Sequence, residues 1–134
     1  MTRALSCAAL AVATLACALT ESESGSIAAN ELAERIAAGT APVVLDVRSP
    51  AEYAAGHLPG AVNVPHDELA TRIAALGLAP DQELVVHCHS SPRAAKARAA
   101  LAALGFGRVR DLAGHWQGWQ AAGLPAETSP GGGG

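Results

Sequence analysis

Aromatic residues are scarce: two tryptophans, one tyrosine and one phenylalanine in 134 residues. A core built on stacked rings is excluded, and the apolar half of the chain must pack through Ala, Val, Leu and Ile. Positive charge is equally thin. Nine Lys and Arg against twelve Asp and Glu give a net charge of −3. No basic stripe of the kind that neutralises a phosphate backbone is visible, which sets nucleic acid aside as a partner. No internal repeat is visible either. The longest apolar stretch, Ala4 to about Leu19, falls short of the roughly 20 residues that a comfortable membrane span takes.

That stretch follows Arg3 and leads into small and then polar residues, the pattern of a secretory signal. Two processing routes fit. Ala16-Cys17-Ala18 matches an A-x-A cleavage site, making residues 1–18 the signal. Alternatively "TLAC" resembles a loose bacterial lipobox, with the signal ending before Cys17 and Cys17 becoming a lipidated, membrane-attached first residue. Residues 19–25 read as a polar linker, 26–127 as one globular domain, and 128–134 as a disordered tail. The expected location is outside the cytoplasm, in the periplasm or cell envelope.

Cysteine is the third scarcity. Of three cysteines, Cys7 lies inside the signal and Cys17 is removed or lipidated. The mature domain keeps Cys88 alone, so an internal disulfide is excluded. A lone thiol is then a buried filler or a reactive group.

Within the domain, helical and strand patterns alternate. "NELAERIAAG" spaces Leu32, Ala33 and Ile36 as a helix, with Asn30 as N-cap and Gly39 as stop. "APVVLDV", "GAVNVP", "ELVVHC" and "RVRDL" read as four strands. "SPAEYAAG" carries a capping box: Ser49 caps, Pro50 opens the helix, Glu52 closes the box and Gly56 ends it. "DELATRIAALG", "PRAAKARAALAALG" and "HWQGWQAAG" are three further helices. The alternation predicts an α/β fold, a small parallel sheet with helices on both faces. Ligands in such sheets bind beyond the carboxyl ends of the strands, and Cys88 sits at one of those ends.

A free thiol is mostly protonated at neutral pH, and a helix N-terminus favours its thiolate. Here the third strand stops at Cys88, and Ser91-Pro92 is a helix start with Ser91 as cap. Residues His89, Ser90 and Ser91 must curl around the sulfur. Arg93, five positions after Cys88, offers a permanent charge and a planar fork of donors to an oxyanion. The constellation is a thiolate in a cradle of main-chain amides with an anion-binding arginine.

The chain resembles the rhodanese family. Val43–Pro65 follows the family's first signature, with Asp-Val-Arg, Glu-Tyr and Gly-His-x-Pro-Gly-Ala-x-Asn-x-Pro. Val85–Phe106 is similar to its active-site strand, loop and helix, and Val109–Pro125 to its closing signature. The resemblance implies a sulfurtransferase. Cys88 would accept a sulfane sulfur from a small anionic donor such as thiosulfate, or from a persulfide, and pass it to a nucleophilic thiol or cyanide acceptor. The amides of the loop from His89 to Arg93 would cradle the persulfide anion, Arg93 would orient the donor, and Asp46 and Arg48 would support the rim. For those two a plainer role stands beside this one: Asp46 tying down loops, and Arg48 pairing with a carboxylate such as Glu52. No metal or organic cofactor is implied.

This loop, Cys-His-Ser-Ser-Pro-Arg-Ala, departs from the family's common Cys-x-Ser-Gly-x-Arg-Ser. Ser91 replaces a glycine, Pro92 removes an N–H, and Ala94 removes a hydroxyl. His115 stands where the closing signature often has a second glycine. These changes keep open a non-catalytic or redox-sensing module on the same fold. Related phosphatases carry one more residue between Cys and Arg, and the shorter spacing here disfavours phosphatase or arsenate reductase chemistry. "HCH" is a poor metal site, because on a strand His87 and His89 face away from Cys88. His87 is expected in the core, His57 in a turn, and Trp116 and Trp119 in the core, with Trp116 also able to wall the pocket.

Overall fold

The computed structural model describes residues 25–129. The expected signal over residues 1–18, Cys17 included, lies outside the described residues, as do residues 19–24 and 130–134.

Five strands form one parallel sheet in the order β1-β5-β4-β2-β3. They are β1 (Gly25–Ile27), β2 (Val43–Asp46), β3 (Val62–Asn63), β4 (Leu84–His87) and β5 (Val109–Leu112). Helices carry the chain between them: α1 (Ala29–Ala38), α2 (Pro50–Ala55), α3 (Leu69–Arg72) and α4 (Pro92–Ala103). A closing helix, α5 (His115–Ala121), follows β5. Every residue of the central strand β4 is buried, as expected where both faces of a parallel sheet are covered.

The period-two alternation of the strands sorts side chains into two cores. Leu45, Leu84, Val86 and Cys88 point to the face covered by Leu69, Ile73, Ala94, Ala97 and Leu101. Val44, Val85 and Leu112 point to the other, against Leu32, Trp116 and Trp119. Burying each Leu or Val contributes about 1.5–3 kcal/mol. The first face is covered by α3 and α4, and alanines on α4 let that helix approach the sheet closely.

Four expected strands are present, and a fifth, β1, was not foreseen. It is only three residues long, and its first residue, Gly25, belonged to the expected linker. The helix start also differs. Because β1 turns directly into α1, the helix begins at Ala29 with Ala28 as an N-cap that makes no side-chain bond. Asn30 is therefore already helical and caps nothing. The α2 capping box forms as read: Ser49 accepts from the Glu52 amide, and Glu52 accepts from the Ser49 amide. The "DELATRIAALG" helix tightens after Arg72 into a 3₁₀ turn, Ile73–Leu76, yet Leu69 and Ile73 remain buried on one face. At the far end the chain is still tied down. His57 pairs with Glu127 as a β-bridge, and the Ser129 amide donates to the Ala54 carbonyl at 3.1 Å. Ser129, in the tail expected to be disordered, is thus hydrogen-bonded.

Candidate active site

β2 and β4 lie side by side, and their C-terminal ends carry the buried polar side chains Asp46, Arg48 and His87. Cys88 directly follows β4. It is a free thiol, 1% exposed, packed with Val47, Val64 and Ala94. Both main-chain groups of Cys88 are held by the start of α5. Its amide donates to His115 Nδ1 at 3.3 Å, and its carbonyl accepts from the Trp116 amide at 3.0 Å. The Gln117 amide donates to the His89 carbonyl at 3.1 Å, extending the clamp one residue into the loop.

His115 holds this contact in a left-handed backbone conformation, φ 53°, and among the described residues no other non-glycine residue lies in that region. That conformation explains the glycine usual in the closing signature, and His is among the residues that tolerate it best. Because Nδ1 accepts the Cys88 amide, the ring proton sits on Nε2 and the imidazole is neutral. Burial pushes the His115 pKa down against the opposing pull of Asp111.

Beyond Cys88, the loop residues His89, Ser90 and Ser91 are exposed. Ser91 occupies the N-cap position of α4 without making a side-chain cap bond, so its expected capping role is positional only. Pro92 takes the first helical position, where a missing N–H costs nothing. The amides of Arg93 and Ala94 follow in the first turn, which has no intrahelical acceptors.

Arg93 does not stand free at the rim. Its Nη1 donates to Glu52 Oε1 at 2.7 Å and its Nη2 to Oε2 at 3.0 Å, a two-pronged pair. The side chains are 30% and 36% exposed, and an exposed pair of this kind contributes roughly 0–1 kcal/mol. Arg93 holds the Glu52 carboxyl down to about 2. In turn the Arg93 pKa is raised, mainly by its hydrogen bonds to Glu52, against the opposing effect of burial.

This pairing corrects one expectation. Glu52 takes Arg93, not Arg48, and Arg48 takes Asp46. Both members of the latter pair are buried, at 2% and 0% exposure. Arg48 Nε and Nη2 donate to the Asp46 carboxylate, and Nη2 also donates to the Gly56 carbonyl at 2.7 Å. The guanidinium lies over the Trp116 ring, 4.6 Å from its centroid. Asn63 Nδ2 donates to the carbonyls of Asp46 and Arg48. Asp46 and Arg48 therefore lie beneath the rim as a buried brace. Burial of this depth is not visible in a sequence, although an Asp-x-Arg pair at a strand end hints at a pair.

His87 lies under the same brace, fully buried. Its Nδ1 is 3.1 Å from the Cys88 carbonyl, and its Nε2 is 3.7 Å from Asp46 Oδ2. Burial depresses its pKa, against the pull of Asp46. His57 is a turn residue, stacked on Tyr53 at 3.7 Å with Nδ1 against the Tyr53 carbonyl. Trp116 and Trp119 are both core residues.

A surface pocket of about 220 Å³ opens beside these groups, lined by Arg48, Ser49, His66, Asp67, Glu68 and Arg93. Val47 and Val64, which touch the Cys88 cluster, immediately precede Arg48 and Pro65 on its wall. Of the first turn of α4, Arg93 lines this pocket, and Cys88 does not.

Comparison with known proteins agrees with this geometry. The profile of the rhodanese-like domain matches residues 28–122. A sulfurtransferase from Allochromatium vinosum is 33% identical, over 74% of this chain and 91% of its own. A thiosulfate sulfurtransferase from Azotobacter vinelandii is 34% identical, over 57% of this chain but only 36% of its own length, so the chain spans about a third of that relative. Among solved structures, the Alr3790 protein from Anabaena sp. matches with a TM-score of 0.71 at 30% identity, covering 78% of this chain and 83% of its own.

Proposed function

The chain belongs to the rhodanese-like domain family, and on that premise we propose that it is a sulfurtransferase whose nucleophile is Cys88. The observation that carries the reading is the placement of the described domain's one thiol between the end of β4 and the first turn of α4, with Arg93 four intervening residues away.

The mechanism is a double displacement through a covalent intermediate. The Cys88 thiolate attacks the outer sulfur of thiosulfate or of a persulfide. A sulfur–sulfur bond forms at Cys88, and the donor's own sulfur–sulfur bond breaks. Its electron pair leaves with sulfite, or with the donor thiolate. Cyanide or an acceptor thiolate then attacks the outer sulfur of the Cys88 persulfide, and the Cys88 thiolate is released. No net oxidation occurs and no cofactor is consumed. The amides at the head of α4 and the helix dipole favour both anionic forms of the cysteine. The α5 clamp fixes the Cys88 backbone, and the buried Asp46–Arg48 brace fixes the floor. Cys88 is 1% exposed, so a donor reaches its sulfur only when the packing around it opens.

That burial also favours one competing reading, a binding or redox-sensing module that holds the thiol without turnover. Steady-state formation of thiocyanate from thiosulfate and cyanide separates the two. Activity in the parent protein that vanishes in Cys88→Ser supports the enzyme; no activity with thiosulfate or with persulfide donors favours the module. Export to the periplasm or cell envelope, as a free or lipid-anchored protein, belongs to the same proposal. The mass of the mature protein taken from its host membrane tests it.

A further inference from the structure

Arg93 is placed to meet an incoming anion, and it is already engaged. Glu52 covers both outer nitrogens of the guanidinium, at 2.7 and 3.0 Å. The pocket beside it contains a second arginine, Arg48, which is spent on Asp46. The same lining adds two further carboxylates: Glu68, which pairs with Arg72 at 3.5 Å, and Asp67. With both arginines matched by carboxylates and Asp67 added, this lining offers a small dianion no unpaired guanidinium.

Resting on the sulfurtransferase reading, we propose that Glu52 is a specificity-determining residue: by occupying Arg93 it turns the site away from free dianions such as thiosulfate and toward sulfane sulfur carried as a persulfide on a thiol of low charge. Glu52 acts through Arg93 and need not touch the donor. The pair is partly exposed and weakly held, so it sets a preference and does not seal the site.

Glu52 is anchored for this role by its second contact. Oε1 also accepts from the Ser49 amide and hydroxyl, both at 3.0 Å. The α2 capping box therefore aims the carboxylate at the head of α4. Glutamine serves a capping box as well as glutamate does. Glu52→Gln thus removes the charge while keeping the local fold.

Thiosulfate binding measured by calorimetry in a Cys88→Ser background reads the effect without chemistry. Glu52→Gln is expected to tighten binding about tenfold at low salt, the scale of one unit charge removed from a partly screened site, and less at high salt. Glu52→Asp, which keeps the charge, should stay near the parent. In a third variant carrying Arg93→Gln as well, the gain should disappear. Equal affinity in parent and Glu52→Gln, a gain that survives loss of Arg93, or no binding in either protein overturns the proposal.

With Cys88 restored, the rate of sulfur loading from thiosulfate, relative to that from the persulfide of 2-mercaptoethanol, should rise in Glu52→Gln. A binding gain without any sulfur loading would remove the sulfurtransferase reading and leave charge control by Glu52 standing. Sulfur loading without a binding gain would do the reverse.

Discussion

Removing Asp46 should damage the fold more than any other single change at the site. Asp46→Ala leaves the Arg48 guanidinium 2% exposed, with only the Gly56 carbonyl and the Trp116 face as partners. Breaking one side of a buried ion pair costs about 3–5 kcal/mol, because the surviving charge is neither solvated nor paired. At about 5 °C per kcal/mol for a domain of this size, Tm should fall by roughly 15–25 °C. Thermal unfolding followed by circular dichroism at pH 7 reads this directly. The double variant Asp46→Leu/Arg48→Met removes both charges and keeps most of the buried volume. It should recover most of the loss, since a buried pair is near neutral against apolar replacements. A drop under about 5 °C in Asp46→Ala, or a double variant as unstable as the single, would refute the reasoning.

Other perturbations follow from the same contacts. Gly56→Ala places a Cβ 3.0 Å from Trp116 Cζ2 and 3.3 Å from Cη2. It should cost about 1–3 kcal/mol in urea unfolding by displacing the ring on which Arg48 rests. Glu52 has a folded-state pKa lowered to about 2 by Arg93. Its contribution is complete above its unfolded pKa near 4.5 and is lost as pH falls toward 2, so Glu52→Gln should flatten stability against pH across that window. Burial lowers the pKa of both His87 and His115. The unfolded chain therefore takes up protons that the folded one refuses. Stability should fall as pH drops below about 6.5, by up to ~1.4 kcal/mol per pH unit for each group. His87→Gln should reduce that slope in urea titrations between pH 7 and 5, and an unchanged slope would exclude His87 as a contributor.

Local patterns were legible in the sequence wherever the physics is local. The β-branched runs at Val43–Val47 and Leu84–Cys88, the capping box at Ser49, Pro50 and Glu52, and the glycine stops at Gly39 and Gly56 are decided within a few residues. The position of Cys88 between strand and helix follows from them. What escaped depends on distant partners or on brevity. β1 is three residues long and exists because β5 offers it an edge. The sequence marks Glu52 as a cap and as one candidate carboxylate for Arg48. The pairing with Arg93 lies 41 residues away and had no signature in either stretch. The grip of His115 on the Cys88 amide, across 27 residues, was equally invisible. The one sequence signal at His115 is that it replaces a glycine, and its positive φ supplies the reason a glycine fits there.

The most direct test of sulfur transfer is the intact mass of the purified domain after brief exposure to thiosulfate or a small-molecule persulfide, followed by peptide mapping. One added sulfur atom, located on Cys88, absent from Cys88→Ser and discharged by cyanide, is the expected result. A domain that stays unmodified with both donors while its thiol remains titratable after unfolding would contradict it.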